Sequence, residues 1–131
     1  MLFRSGPGTI SFEGTNGNNF IRANTANAIV LAPDLQFSGT QGASFFGFAT
    51  LTNQTTINAN QNGKTISISA NTLNNASTLT ASAGGTLSLT NLVNQANGVV
   101  TVDTGGRLDL LGSWSNPAGT INVLEIGRAH V

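Results

Sequence analysis

The chain has 131 residues and a mass of 13.4 kDa, with 8% charged residues, 6% aromatic residues and no cysteine. This suits one compact unit or a slice of something longer, and excludes a disulfide scaffold or a cysteine-bound structural zinc. Five basic against five acidic residues leave zero net charge, a poor footprint for a nucleic-acid partner or a polybasic membrane anchor.

Seventeen Asn, seventeen Thr, eleven Ser and sixteen Gly make the chain polar without charge, while 39% remains apolar; the combination favours β structure over helix. The longest apolar runs, Ala28 to Pro33 and Phe45 to Leu51, fall far short of the ~20 residues a membrane-spanning helix needs.

In chain order, residues 1–5 come first and belong with residues 125–131. Leu2-Phe3-Arg4-Ser5 can be encoded by CTC TTC CGA TCT, whose reverse complement, shifted in frame, reads Glu-Ile-Gly-Arg, the residues Glu125-Ile126-Gly127-Arg128. Ala129-His130-Val131 continues the same string, which resembles a common short-read sequencing adapter in opposite orientations at the two ends. Both ends are therefore expected to be translated adapter around a metagenomic reading frame, and the parent protein is expected to extend in both directions. The single histidine, His130, falls in that segment, so histidine-dependent catalysis and histidine–metal sites are not expected of residues 6–124.

Residues 6–54 carry strand-like segments, Gly8 to Phe12, Ile29 to Leu31 and Leu35 to Phe37, whose spacings lock to no period. They predict at most two irregular coils. Phe45, Phe46 and Phe48 form the densest aromatic cluster, read as core filling with an exposed contact surface as the alternative.

Residues 55–124 repeat. Leu79, Val100 and Ile121 are spaced by 21 residues, as are Ile66, Leu87 and Leu108. The residues two further on are again apolar: Ala81, Val102 and Val123 in one column, and Ile68, Leu89 and Leu110 in the other. Alternation at period two marks strands with one buried face. Ala83-Gly84-Gly85 and Thr104-Gly105-Gly106 stand at equivalent turns, with Asn62-Gly63 near the corresponding place. Leu73, Leu92-Val93 and Trp114 suggest a weaker third strand, followed by Asn-rich turns at Asn74-Asn75, Asn94 to Asn97 and Ser115 to Ala118.

One such coil cannot bury its inward side chains alone, whereas coils stacked in parallel make continuous apolar columns. The predicted fold is an all-β, single-stranded parallel β-helix, a β-solenoid of ~21 residues per coil and right-handed. A hexapeptide left-handed helix favours 18-residue coils, and an antiparallel sandwich or propeller blade offers no reason for two columns to recur together.

Chemical signatures are sparse. Asp103-Thr104-Gly105 matches the aspartic-protease tripeptide, but that reaction needs two carboxylates sharing a proton, and these residues coincide with the turn one repeat earlier. Asp103 and Asp109 are the remaining candidates for a paired-acid glycosidase site, which requires carboxyls about 5 to 9 Å apart; an outward Asp109 offset by Arg107 is the simpler reading. Neither calcium-solenoid nor phosphate-loop patterns occur. Asn53-Gln54-Thr55 and Asn75-Ala76-Ser77 match the N-glycosylation triplet, as chance allows in so Asn-rich a chain. Catalytic, cofactor-binding and metal-binding residues are accordingly assigned to none.

The segments Gly85 to Leu89, Gly106 to Asn116 and Ala118 to Val123 resemble repeats of large secreted bacterial β-helix proteins, the filamentous-haemagglutinin-like adhesins and autotransporter passengers. The resemblance covers about half the chain and carries no catalytic residue. It implies export to the cell surface or beyond, a structural or adhesive stalk role without catalysis, and contact with a host or neighbouring cell surface, extracellular matrix or glycans. The alternative it leaves is part of a carbohydrate-active β-helix enzyme, a pectate-lyase-like hydrolase or lyase.

Overall fold

The structure, a computed structural model, describes residues 7–15, 19–124 and 128–130. Among these it contains strands and no helix: β1 (Gly8–Phe12), β2 (Asn19–Leu31), β3 (Leu35–Gly39), β4 (Ala43–Asn53), β5 (Ile57–Ala59), β6 (Thr65–Asn75), β7 (Thr78–Ala81), β8 (Thr86–Asn94), β9 (Val99–Val102), β10 (Arg107–Leu111), β11 (Thr120–Val123) and β12 (Arg128–His130). Short and long strands alternate, and every paired strand runs parallel to its partner. The long strands form one sheet in the order β12-β10-β8-β6-β4-β2, and the short ones a second, β11-β9-β7-β5, with β1 and β3 as a separate pair. The chain is a β-solenoid of about five turns.

The apolar columns are the stacked positions. Leu79 is the register partner of Val100, and Val100 of Ile121. Ile66, Leu87 and Leu108 follow one another in the long-strand sheet, as do Phe45, Ile68, Leu89 and Leu110. Most of these side chains are buried, while Ile121 is partly buried and Val123 is exposed. A stack of this kind buries apolar area only between neighbours, so each coil owes its stability to the next.

The third strand of each coil is the far half of a bent long strand. In β6, Ala70, Asn71 and Thr72 lie between the paired Ser69 and Leu73, whereas in β8 Asn91 alone turns the corner between Thr90 and Leu92, with φ of 58°. Asparagine tolerates this left-handed backbone. Its side chain also spans coils: Nδ2 donates to Ala70 O at 2.9 Å, and Oδ1 accepts from Ser113 N at 3.1 Å. The two residues missing at this corner return at the next, where Gln95 to Gly98 stand opposite Ala76 and Ser77, so Thr78 still meets Val99 at a spacing of 21. In the following coil this leg shrinks to a bridge between Val93 and Ser115, and Trp114, equivalent to the buried Leu92, is 42% exposed.

In the first half, β1 pairs with β3 and β2 with β4 at no constant spacing. Gly8 pairs Leu35 at a spacing of 27, Ile21 pairs Phe45 at 24 and Leu31 pairs Asn53 at 22, with bulges between Arg22 and Ala28. Phe12, Phe37 and Phe45 pack ring to ring at 5.5 to 6.0 Å and fill the interior there. Between β3 and β5 the short-strand ladder breaks, and the two edges belong to different sheets. Only residues 128–130 of the adapter-like ends are described among strands: β12 pairs with β10 through Arg107 and Arg128. Residues 1–6, 125–127 and 131 lie outside the described residues. Main-chain pairing to an open edge is independent of side chains and does not bear on where those residues came from.

The turns stack as expected. Lys64 N, Gly85 N and Gly106 N donate to Gln61, Ser82 and Asp103 carbonyls at 3.0, 2.8 and 2.8 Å, and Ala83 N reaches Thr104 O of the next coil at 3.0 Å. Gly106 is needed for close approach, since a Cβ there would lie 2.2 Å from Ala81 O. Gly106→Ala is therefore expected to lower unfolding free energy by about 1–3 kcal/mol, whereas the exposed Thr104→Ala stays within about 0.5 kcal/mol of the parent. Denaturant titration followed by circular dichroism measures both.

Candidate functional site

The candidates from the sequence serve separate roles. Asp103 opens a four-residue turn, and its Oδ1 accepts from Thr104 N at 2.6 Å, so the Asp-Thr-Gly tripeptide is a stacked corner. Asp109 is paired to Arg107, whose Nε donates to Asp109 Oδ1 at 2.8 Å. Glu13 lies on the first coil, where the Ser11 and Thr40 hydroxyls donate to it at 2.7 and 3.0 Å. These bonds favour the ionised form and hold its carboxyl below the usual glutamate range. Among the described residues no group of three His, Cys, Asp or Glu side chains converges.

The aromatic cluster divides. Phe45 and Phe48 are buried, and Phe46 points outward at 37% exposure beside Phe20 of the preceding coil, which is 61% exposed; their ring centroids are 5.8 Å apart. Packing thus takes two of the three rings, and the third makes a small outer aromatic pair across coils. Period-two alternation explains the inward Phe45 and the outward Phe46, and the bulge at Phe46–Gly47 explains why Phe48 turns inward again instead of falling one residue out of phase.

The most ordered polar feature is one that sequence reasoning placed among turns. Asn53, Asn75 and Asn94 are fully buried at the end of successive long strands. Asn53 Nδ2 donates to Asn75 Oδ1, Asn75 Nδ2 to Asn94 Oδ1, and Asn94 Nδ2 to Asn116 Oδ1, each at 2.9 Å. The second amide hydrogen of each bonds a carbonyl: Thr55 O at 2.8 Å from Asn53, Ser77 O at 2.9 Å from Asn75, and from Asn94 it is shared between Gly98 O at 3.2 Å and Thr120 O at 3.1 Å. Both glycosylation-type triplets are therefore ladder members with enclosed amides, and their asparagines offer no access to a glycosyl donor in the folded chain.

An aligned row of amides satisfies groups that would otherwise be costly to bury, and each bond polarises the next. It also fixes register, because a one-residue slip would put a different side chain beneath every amide. The signal was available as an asparagine at the end of each third strand, but its spacings of 22, 19 and 22 follow the shifting corner, not the period of 21. Among the acids weighed above, Asp103, Asp109 and Glu13 each have a separate hydrogen-bond duty.

In comparison with known proteins, the chain matches no family model, no curated protein and no solved structure.

Asn75→Asp tests the ladder through pH. The carboxylate would face Ser77 O and Asn94 Oδ1 with no hydrogen to give, and burial would raise its pKa above that of the unfolded chain. The variant is then most stable in acid and loses stability as pH rises through the raised folded value. At neutral pH the expected cost is about 3 kcal/mol or more, with partial recovery on acidification. Denaturation midpoints relative to the parent across that range measure it; a cost independent of pH would contradict the ladder.

Proposed function

We propose that this chain is a segment of an elongated stalk in a large secreted or surface-displayed bacterial repeat protein. The stalk holds an adhesive region away from the cell and adds lateral surface for contact with a host or neighbouring cell, extracellular matrix or glycans. The reading is supported by one observation above others: the long-strand sheet continues from β2 to β12 with coil upon coil in parallel. Five coils at ~4.8 Å each make a rod section about 25 Å long. Such a rod extends by adding coils, without a new core, which is the economical way to build reach.

Low charge agrees with this role. Coils held by backbone pairing, apolar columns and amide rows do not need surface ion pairs, and the described ion pair, Arg107–Asp109, is half exposed and contributes little. The catalytic alternative would draw support from acids converging on adjacent coils; Asp103 and Asp109 instead serve a turn and an ion pair.

The direct test is the DNA on either side of the frame encoding residues 6–124. The expected result is a longer frame with further coils of about 21 residues, an export signal upstream, and adapter-free sequence in place of residues 1–5 and 125–131. A catalytic domain fused to a short solenoid, or a frame without an export signal, would overturn the proposal.

A further inference from the structure

The break in the short-strand ladder divides the molecule on one side only. The long-strand sheet runs on past it, with Ser44 beside Ser67 and Leu51 beside Leu73 where β4 meets β6. On the short-strand side β3 pairs with β1 and β5 with β7, and the facing edges of β3 and β5 share no ladder. The turn that follows repeats the separation. Gly63 N donates to Gly84 O and Ala83 N to Thr104 O, which joins each of these turns to the next, whereas Thr40 N and Gln41 N both donate back to Phe12 O. The Thr55 hydroxyl, which donates to Leu35 O, is the described tie across the two edges.

Packing does not replace the missing ladder. Toward Gly39 and Asn60 the two edges leave a slot of about 240 Å³, with Phe12, Phe37 and Ile66 in its lining. Side chains that face a gap lose the dispersion contacts on that side. Gln41 lines the same slot, and its Oε1 is buried with no hydrogen-bond partner, alone among the described side-chain oxygens and nitrogens in this respect. A buried acceptor without a donor raises the free energy of the closed form, and widening the slot brings water to it. Both observations act in one direction: the short-strand side is weakly held, and a group on it gains a partner when it opens.

We propose that the break is a hinge, at which the stack opens along its short-strand side about the β4–β6 ladder as axis. The hydrogen bonds between β4 and β6 stay made while the slot widens, so the motion needs no unfolding. The apolar faces of Phe37 and Ile66, which opening would wet, and the Thr55 tie hold the closed form. The Gln41 oxygen favours the open one, and the chain populates both. Where both sheets are paired, as between β7–β8 and β9–β10, two ladders oppose such a bend, so the hinge is confined to the break. It rests on the break alone and not on the stalk role, so flanking DNA that overturned the stalk would leave it standing.

Pulsed electron paramagnetic resonance on two doubly spin-labelled forms of the full chain, each diluted with unlabelled chain, tests this. One form carries labels at Thr9 and Thr101 on the short-strand side, the other at Phe20 and Asp109 on the long-strand side. Each pair spans four strand-to-strand steps, and the break interrupts only the first. The long-strand pair is expected at one narrow distance set by ~19 Å of stacked strands. The short-strand pair is expected to give a distribution about twice as wide, with a shoulder at longer distance. Thr55→Val, which removes the tie, should move population into the shoulder. Gln41→Met, which removes the unpaired acceptor and keeps the side chain's length, should draw population out of it. Neither should alter the long-strand pair. Equally narrow distributions on the two sides, as for a rigid rod, would overturn the hinge, and so would equally broad ones, as for general looseness. A shoulder undiminished by Gln41→Met would overturn the part given to that oxygen.

Discussion

When β9 runs parallel along β7 with Val100 beside Leu79, the main chain has already decided which side chains share a column, because a parallel ladder places each residue next to its counterpart one coil away. From that constraint the remaining features follow. Inward positions must be mutually compatible along the axis, so apolar residues succeed one another in each column, as Ile66, Leu87 and Leu108 do. Turns must superpose, so glycine recurs where a Cβ would strike the carbonyl of the coil beneath, as Gly106 does above Ala81. Buried polar groups must find partners along the axis, and the amides of Asn53, Asn75 and Asn94 do so by bonding one another.

How much of this was legible in the sequence depended on where the chain keeps count. Two faces hold a spacing of 21 through the second half, so the columns headed by Leu79 and Ile66 expose the stack without any structure. The third face does not keep count: the corner at Ala70 to Thr72 is two residues longer than the one at Asn91, and the following loop compensates. A drift of two residues that cancels within one coil leaves the period intact and erases the local pattern. That is why the third strand looked weak and why the asparagine row read as a set of turns. In the first half the spacings widen to 22, 24 and 27 and bulges interrupt β2 and β4, so equivalent residues share no fixed offset even though their backbones pair. Phe45 and Phe48 being inside and Phe46 outside follows from alternation plus one bulge, and only the bulge was hidden.

The slot was out of reach for a different reason. It arises where pairing fails, between β3 and β5, and is built from residues on four strands and two turns whose proximity follows only once the coils are stacked. Nothing local marks Gln41 as carrying an unpartnered oxygen. A regular solenoid offers repetitive faces that suit stacking and reach. The stalk reading draws on the regular part of the molecule.

Parallel, in-register stacking is the claim on which the account turns, and nitroxide labels at Thr80, Thr101 and Asn122, which occupy one outward column, test it most directly. With cysteine absent from the chain, three single substitutions place the labels without background. Labels stacked at ~4.8 Å intervals are expected to give an exchange-narrowed electron paramagnetic resonance line. Three resolved hyperfine lines from the folded triple-labelled protein, as for separated spins, would contradict the stack.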